Sequence, residues 1–135
     1  MEHAHWPRVA VLIPCFNEAT TIGKVVSDFR RALPDALIAV YDNNSSDRSV
    51  ELAEMAGAAV LHESAQGKGH VVRRLFADID ADVYVLVDAD DTYDAEDAPR
   101  LVQHLLNRRL DIVNCRRIST GAATYGPGTN GVIAC

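Results

Sequence analysis

Several features are missing from this 135-residue chain, and each absence removes a class of explanation. No apolar stretch approaches the roughly 20 residues that a membrane-spanning helix needs. Residues 1–7 lack the apolar core of a secretory signal. There are only three cysteines, Cys15, Cys115 and Cys135. That is an odd count without metal-type spacing, which argues against a zinc site or a disulfide framework and suits a reducing compartment. Lys and Arg number 13 against 19 Asp and Glu, giving a net charge of −6 and no basic stripe. Nucleic acid is therefore a poor candidate partner. Neither G-x-G-x-x-G nor G-x-x-x-x-G-K-[ST] occurs, which disfavours a dinucleotide Rossmann site and a P-loop. No internal repeat and no clear linker interrupts the chain. What remains is an ordinary globular balance, 48% apolar and 24% charged, with enough residues for one core.

Apolar runs and helical patterns alternate along the chain. Buried strands are expected at 9–13, 37–41, 59–62, 83–87 and 111–115. Between them, Ile22, Val25, Val26, Phe29 and Leu33 fall at helical spacing, with Thr20 or Thr21 as N-cap and Pro34 as the stop. A second helix is expected from 48 to about 56, with Gly57 at its C′ position. A third opens at Gln66-Gly67-Lys68-Gly69-His70 and turns Val72, Leu75, Phe76 and Ile79 inward. A fourth, from 95 to about 109, takes Pro99 in its first turn and buries Leu101, Val102, Leu105 and Leu106. This alternation predicts an α/β fold, an open and mostly parallel sheet with helices on both faces. Residues 1–8 form a tail, 9–118 the folded unit, and 119–135, rich in glycine and without periodicity, an irregular tail.

The stretch Asp88-Ala89-Asp90-Asp91-Thr92 follows the fourth strand and crowds three carboxylates together. Such crowding is costly. A divalent cation held through oxygen would relieve it, so one reading is Mg²⁺ or Mn²⁺ carrying a diphosphate. The other is a solvated acidic turn capping the next helix. Polar residues also follow the other strands: Asn17 and Glu18, Asp42 to Asp47, Gln66 to His70, and Arg116 with Arg117. Ligands of open α/β sheets bind beyond the carboxyl ends of strands, so five polar stretches on one rim suggest a site more than five separate caps. Lys68 sits near a helix start, where anions are favoured; the alternative is a flexible turn with a solvated lysine.

Three strings carry a resemblance: Val11-Leu12-Ile13-Pro14-Cys15-Phe16-Asn17-Glu18, Tyr41-Asp42-Asn43-Asn44-Ser45-Ser46-Asp47 and Val87-Asp88-Ala89-Asp90. Together they resemble the nucleotide-sugar-binding half of family 2 glycosyltransferases, of the Rossmann-like GT-A fold, and among these the polyprenyl-phosphate enzymes such as dolichyl-phosphate mannose synthases. The resemblance implies that Pro14, Phe16 and Glu18 line the base and ribose, with Phe16 replacing the usual tyrosine. Asp42 would hydrogen-bond the base, while Asn43 stands where a second aspartate is usual. Lys68 would lie near the phosphates. Asp88 and Asp90 match the D-x-D pair, and Asp91 is a further candidate, so the implied metal set is Asp88, Asp90 and Asp91. Asn44 and Ala89 fall inside the matched strings and join the donor-contacting residues. Asp90 and Arg116 are the implied catalytic residues, Arg116 facing an acceptor phosphate.

The implied reaction is inverting displacement at an anomeric carbon, moving a sugar from a UDP- or GDP-linked donor to an acceptor, with polyprenyl phosphate favoured because such an anion needs no general base. A diphosphate about 4 Å from one carboxylate would meet roughly 4 kcal/mol of repulsion, so a cation is expected with it. The resemblance also implies an acceptor half that residues after 117 do not resemble. The expectation is a chain that binds donor but transfers sugar poorly, placed in the cytoplasm and, in a longer form, at the inner face of a membrane for glycolipid or cell-envelope synthesis. A homo-oligomer is left open. Two alternatives stand beside this one. Asp88-x-Asp90-x-Thr92 also opens haloacid-dehalogenase-type phosphatases, and a non-catalytic nucleotide-binding module would use the same scaffold.

Overall fold

The computed structural model describes residues 7–114 and 132–134. Six strands form one sheet: β1 (Val9–Cys15), β2 (Leu37–Asp42), β3 (Ala59–His62), β4 (Val83–Leu86), β5 (Ile112–Asn114) and β6 (Val132–Ala134). Their order is β3-β2-β1-β4-β6-β5, and every pair is parallel. Four α-helices accompany them: α1 (Ile22–Ala32), α2 (Ser49–Met55), α3 (Lys68–Asp78) and α4 (Ala98–Arg108), the last entered through a 3-10 turn at Ala95–Asp97.

Parallel strands covered on both faces read as continuous apolar runs, because each face needs its own apolar set. In β1, Val11 and Ile13 face one cluster with Ile22, Val25, Val26 and Phe29 of α1 and Leu101, Val102 and Leu105 of α4. Ala10 and Leu12 face the other, with Val71 and Leu75 of α3. The chain steps outward from β1 to β3 through α1 and α2, then reverses to reach β4. That reversal puts α3 on the opposite face, as a crossover of constant hand requires.

Two expectations need correction. The segment 119–135 is not irregular throughout, since Val132–Ala134 forms β6 and inserts between β4 and β5. Three residues of apolar sequence among glycines give too short a period to be seen. The inner stripe of α3 is Val71 and Leu75 rather than Val72 and Phe76. These two, four residues apart, meet Leu12 and Tyr41. Phe76 stays 37% exposed and packs its ring edge-on to Tyr84, centroids 5.0 Å apart. At the end of α2, Gly57 holds φ at 102°, and a Cβ there would lie 2.2 Å from Arg30 Nη1, which donates to the Ala56 carbonyl at 3.0 Å. The left-handed φ is what calls for glycine there, since the Arg30 guanidinium is the movable end of a long side chain.

Tyr41 is fully buried, and its hydroxyl donates to Asp78 Oδ2 at 2.7 Å, an oxygen that also accepts from Arg74 Nε at 2.9 Å. The Tyr41 hydroxyl and then the Arg74 guanidinium hold the Asp78 carboxyl below its ordinary value of 3.8. A lowered carboxylate stabilises the fold above its unfolded pKa, and that contribution fades as pH falls through the folded one. Tyr41→Phe should therefore lower the urea midpoint near neutral pH, and its deficit against the wild type should shrink below pH 3.8. Unfolding titrations at several pH values check this.

Candidate functional site

Because the strands run parallel, every βα loop emerges on the same rim. Here the loops after β1, β2, β3 and β4 enclose a cleft of about 430 Å³. Pro14, Phe16, Glu18, Lys68, Asp88, Ala89 and Asp90, all expected at a site, line it. Cys15, Asn43, Gln66, Gly67 and Val71 line it as well. Asp42, Asn44 and Asp91 do not, and Arg116 lies outside the described residues. His70, Arg73 and Arg74 are also absent from the lining.

Much of the polarity expected to meet a ligand is spent on bracing. Asn17 adopts a left-handed φ of 52°, its amide donates to Ser45 Oγ at 2.8 Å, and its Oδ1 accepts from the Ser46 amide at 2.8 Å. The amides of Glu18 and Ala19 donate to Ser49 Oγ at 2.8 Å and Asp47 Oδ2 at 3.1 Å. Asp47 Oδ1 accepts from both the hydroxyl and the amide of Ser49, and the hydroxyl bond chiefly lowers its pKa. The loops after β1 and β2 are thus stitched together by bonds between residues 28 to 31 apart in sequence.

Asn43 performs a second stitch. It is 4% exposed. Its Nδ2 donates to the carbonyls of Glu63 at 2.7 Å and Ala65 at 2.9 Å, while Oδ1 accepts from the Gly67 amide at 2.9 Å and Gln66 Nε2 at 3.3 Å. A carboxylate cannot supply the two donors. This explains an amide where the resemblance has an aspartate. Gly67, at φ 124°, then turns the chain into α3, whose first residue is Lys68. Asn44 is tied to Ser64 and Gln66. Asp42, 3% exposed, accepts from the Ser45 amide at 3.0 Å through Oδ2, with His62 Nδ1 3.8 Å away, while its Oδ1 has no hydrogen-bond partner among the described residues. Cys15 hydrogen-bonds Ser49, but burial dominates and pushes its thiol up to about 11.

The three acidic side chains after β4 diverge. Asp88 pairs with Lys68 across the cleft. Asp90 Oδ1 accepts from the hydroxyl of Thr92 at 2.7 Å and its amide at 3.2 Å. Asp91, at φ 61°, turns to Lys24 on α1, 3.1 Å away. Two lysines thus relieve part of the repulsion that the sequence suggested a metal must relieve. Among the described residues no three His, Cys, Asp or Glu side chains converge to hold a metal. Asp88 and Asp90 still present hard oxygens to one cleft. That donor set fits Mg²⁺ or Mn²⁺, which take one or two carboxylates and complete their shell with phosphate oxygens and water. Asp91 is placed away from that set.

Residues 10–130 match the family described as Glycosyl transferase family 2. The chain belongs to this family. Protein RfbJ of Shigella flexneri is 49% identical over 125 residues, covering 92% of this chain and 97% of that protein. Glycosyltransferase AglJ of Haloferax volcanii is 43% identical over 98 residues, covering 72% of this chain and 32% of that protein. Dolichyl-phosphate hexose transferase of the same organism is 35% identical over 116 residues, covering 86% of this chain and 50% of that one. The family 2 chain therefore spans a third to half of the latter two relatives. Its fold is shared with a mycobacterial protein of known crystal structure, at TM-score 0.73 and 26% identity over 82% of this chain and 41% of that one. It is also shared with Mycobacterium tuberculosis glucosyl-3-phosphoglycerate synthase, crystallised with Mn²⁺, UDP-glucose and phosphoglyceric acid, at TM-score 0.71 and 24% identity over 85% and 45% of the two chains. The family and the GT-A fold expected from the sequence are borne out. The phosphatase alternative finds no support.

Asn43→Asp exchanges two buried donors for acceptors facing carbonyls, which should cost about 3 kcal/mol. Urea unfolding measures this, and Asn43→Ala, which also removes the oxygen that accepts from the Gly67 amide, should in addition lose amide-exchange protection at Gly67.

Proposed function

We propose that this chain binds a nucleoside-diphosphate sugar, UDP- or GDP-linked, together with Mg²⁺ or Mn²⁺ in the rim cleft, and serves as the donor side of an inverting glycosyltransferase. The observation that carries this is the sharing of one cleft by Lys68, Asp88 and Asp90 with Pro14, Phe16 and Glu18. An ammonium at the start of an 11-residue helix favours a diphosphate, as does the helix itself through its free amides. The apolar wall of Pro14 and Phe16, with Phe16 half exposed at the mouth, suits a base and ribose. We also propose, from the resemblance, that Asp42 meets the base; it lies outside the cleft lining and keeps one buried oxygen without a hydrogen-bond partner among the described residues.

In this reading Asp88 and Asp90 hold the cation, which when bound supplies Lewis-acid stabilisation to the departing nucleoside diphosphate. Lys68 exchanges Asp88 for the phosphates and stabilises the same developing charge. Glu18 and Phe16 orient the donor. The anomeric carbon is then attacked from the face opposite the diphosphate, which inverts its configuration. Among the described residues no general base stands out, which favours an acceptor that is already anionic, and a polyprenyl phosphate is the acceptor we propose. The relative named dolichyl-phosphate hexose transferase supports that choice. We also propose that the 135 residues alone bind donor more effectively than they transfer sugar, and that Arg116 faces the acceptor phosphate.

Calorimetric titration with UDP and GDP, each with and without Mn²⁺, tests the reading. One nucleotide should bind at least about tenfold tighter with the metal, and Asp88→Asn or Asp90→Asn should remove most of that gain. Absence of binding by both nucleotides would overturn it.

A further inference from the structure

We propose that Thr21 is a positioning residue for the acidic loop, holding Asp88 and Asp90 on the cleft side of the rim, an inference that rests on the donor-and-metal reading above. Thr21 stands at the N-cap position of α1, where a hydroxyl ordinarily accepts from a helix amide. It makes no such cap. Its single proton goes to the Ala89 carbonyl at 2.6 Å, across 68 residues of sequence. Ala89 is 3% exposed, and its carbonyl belongs to the backbone between the two cleft-facing carboxylates. The contact of Thr21 Oγ1 with Glu18 Oε2 is long, 3.4 Å, and does not compete for that proton.

The same helix holds the loop a second time. Lys24, three residues along α1, reaches Asp91 at 3.1 Å while also bridging to Asp28 at 2.7 Å. The two attachments, at Ala89 and Asp91, flank Asp90, whose own contacts are to Thr92 within the loop. Helix α1 is a firm base for them, since Ile22, Val25 and Val26 are buried in the core on either side of Lys24. A loop fixed on both sides of Asp90 has its third carboxylate drawn to Lys24, so the backbone that carries Asp88 and Asp90 stays on the cleft side while Lys68 exchanges Asp88 for phosphate. Hard cations reward that, because their ligand geometry is demanding.

The test measures coupling, the ratio of nucleotide Kd without and with Mn²⁺, by calorimetry for UDP and GDP in four proteins: wild type, Thr21→Val, Thr21→Ser and Lys24→Gln. Valine keeps the branched shape and removes the donor; serine keeps the donor. Thr21→Val should reduce the coupling about tenfold and raise the half-saturating Mn²⁺ concentration, with metal-free nucleotide binding within about twofold of wild type. Thr21→Ser should match wild type, and Lys24→Gln should lose about threefold. Unchanged coupling in Thr21→Val overturns the proposal and leaves the donor-and-metal reading intact. Equal weakening with and without metal marks a merely structural role and overturns it too. Should Thr21→Val fail to fold, Thr21→Ala decides, since it also removes the donor to Ala89, and wild-type coupling in that variant overturns the proposal. A wild type in which Mn²⁺ changes neither nucleotide's affinity sinks the donor-and-metal reading itself, before any variant is compared.

Discussion

Parallel pairing on both sides of β1 is the constraint from which the cleft follows. With β2 and β4 hydrogen-bonded to its two edges in the same direction, the chain leaves all three strands at one rim. The loops that carry Glu18, Asn43 and Asp88 are neighbours there although more than 20 residues separate each from the next in sequence. A parallel sheet must be covered on both faces, and the continuous apolar runs of β1 and β2 supply the two clusters that do so. The polar rim is therefore perched on a core that cannot shift without exposing apolar surface.

On that base, side chains rather than regular structure set the loop positions. Backbone amides that lack partners beyond a strand end are costly if buried. Asn17, Ser45, Asp47, Ser49 and Asn43 satisfy them across loop boundaries. The result is a cleft whose walls are fixed before any ligand arrives. The acidic loop beside it is held in the same manner, with Asp88 in the cleft and Asp91 outside it each given a lysine from a different helix. Both pairs are exposed, so each contributes little to stability. Their weight lies in deciding which way a carboxylate points.

The strands and helices were legible because their periods are plain. Ile22, Val25, Val26 and Phe29 mark one face of α1, and residues 9–13 admit little else but a buried strand. The gathering of Pro14, Glu18, Lys68, Asp88 and Asp90 was legible from strand ends alone, since topology puts such ends together. Three other things were not. The inner stripe of α3 depends on where Gly67 starts the helix, and apolar residues at 71, 72, 75 and 76 allow either of two faces. The strand Val132–Ala134 is too short to declare itself. The destinations of Asp91, Asn44 and Thr21 are tertiary facts: a left-handed φ sends Asp91 toward Lys24, and nothing near Thr21 in sequence announces Ala89.

The wall of the cleft also contains a sulfur. Cys15 ends β1, faces the cavity, and is nearly enclosed, with its thiol pushed up to about 11 chiefly by burial. Only the thiolate reacts readily with oxidants and alkylating agents. At neutral pH this sulfur remains protonated and behaves as a small apolar group. The cleft wall therefore carries a sulfur that thiol reagents and oxidants would find slow to modify.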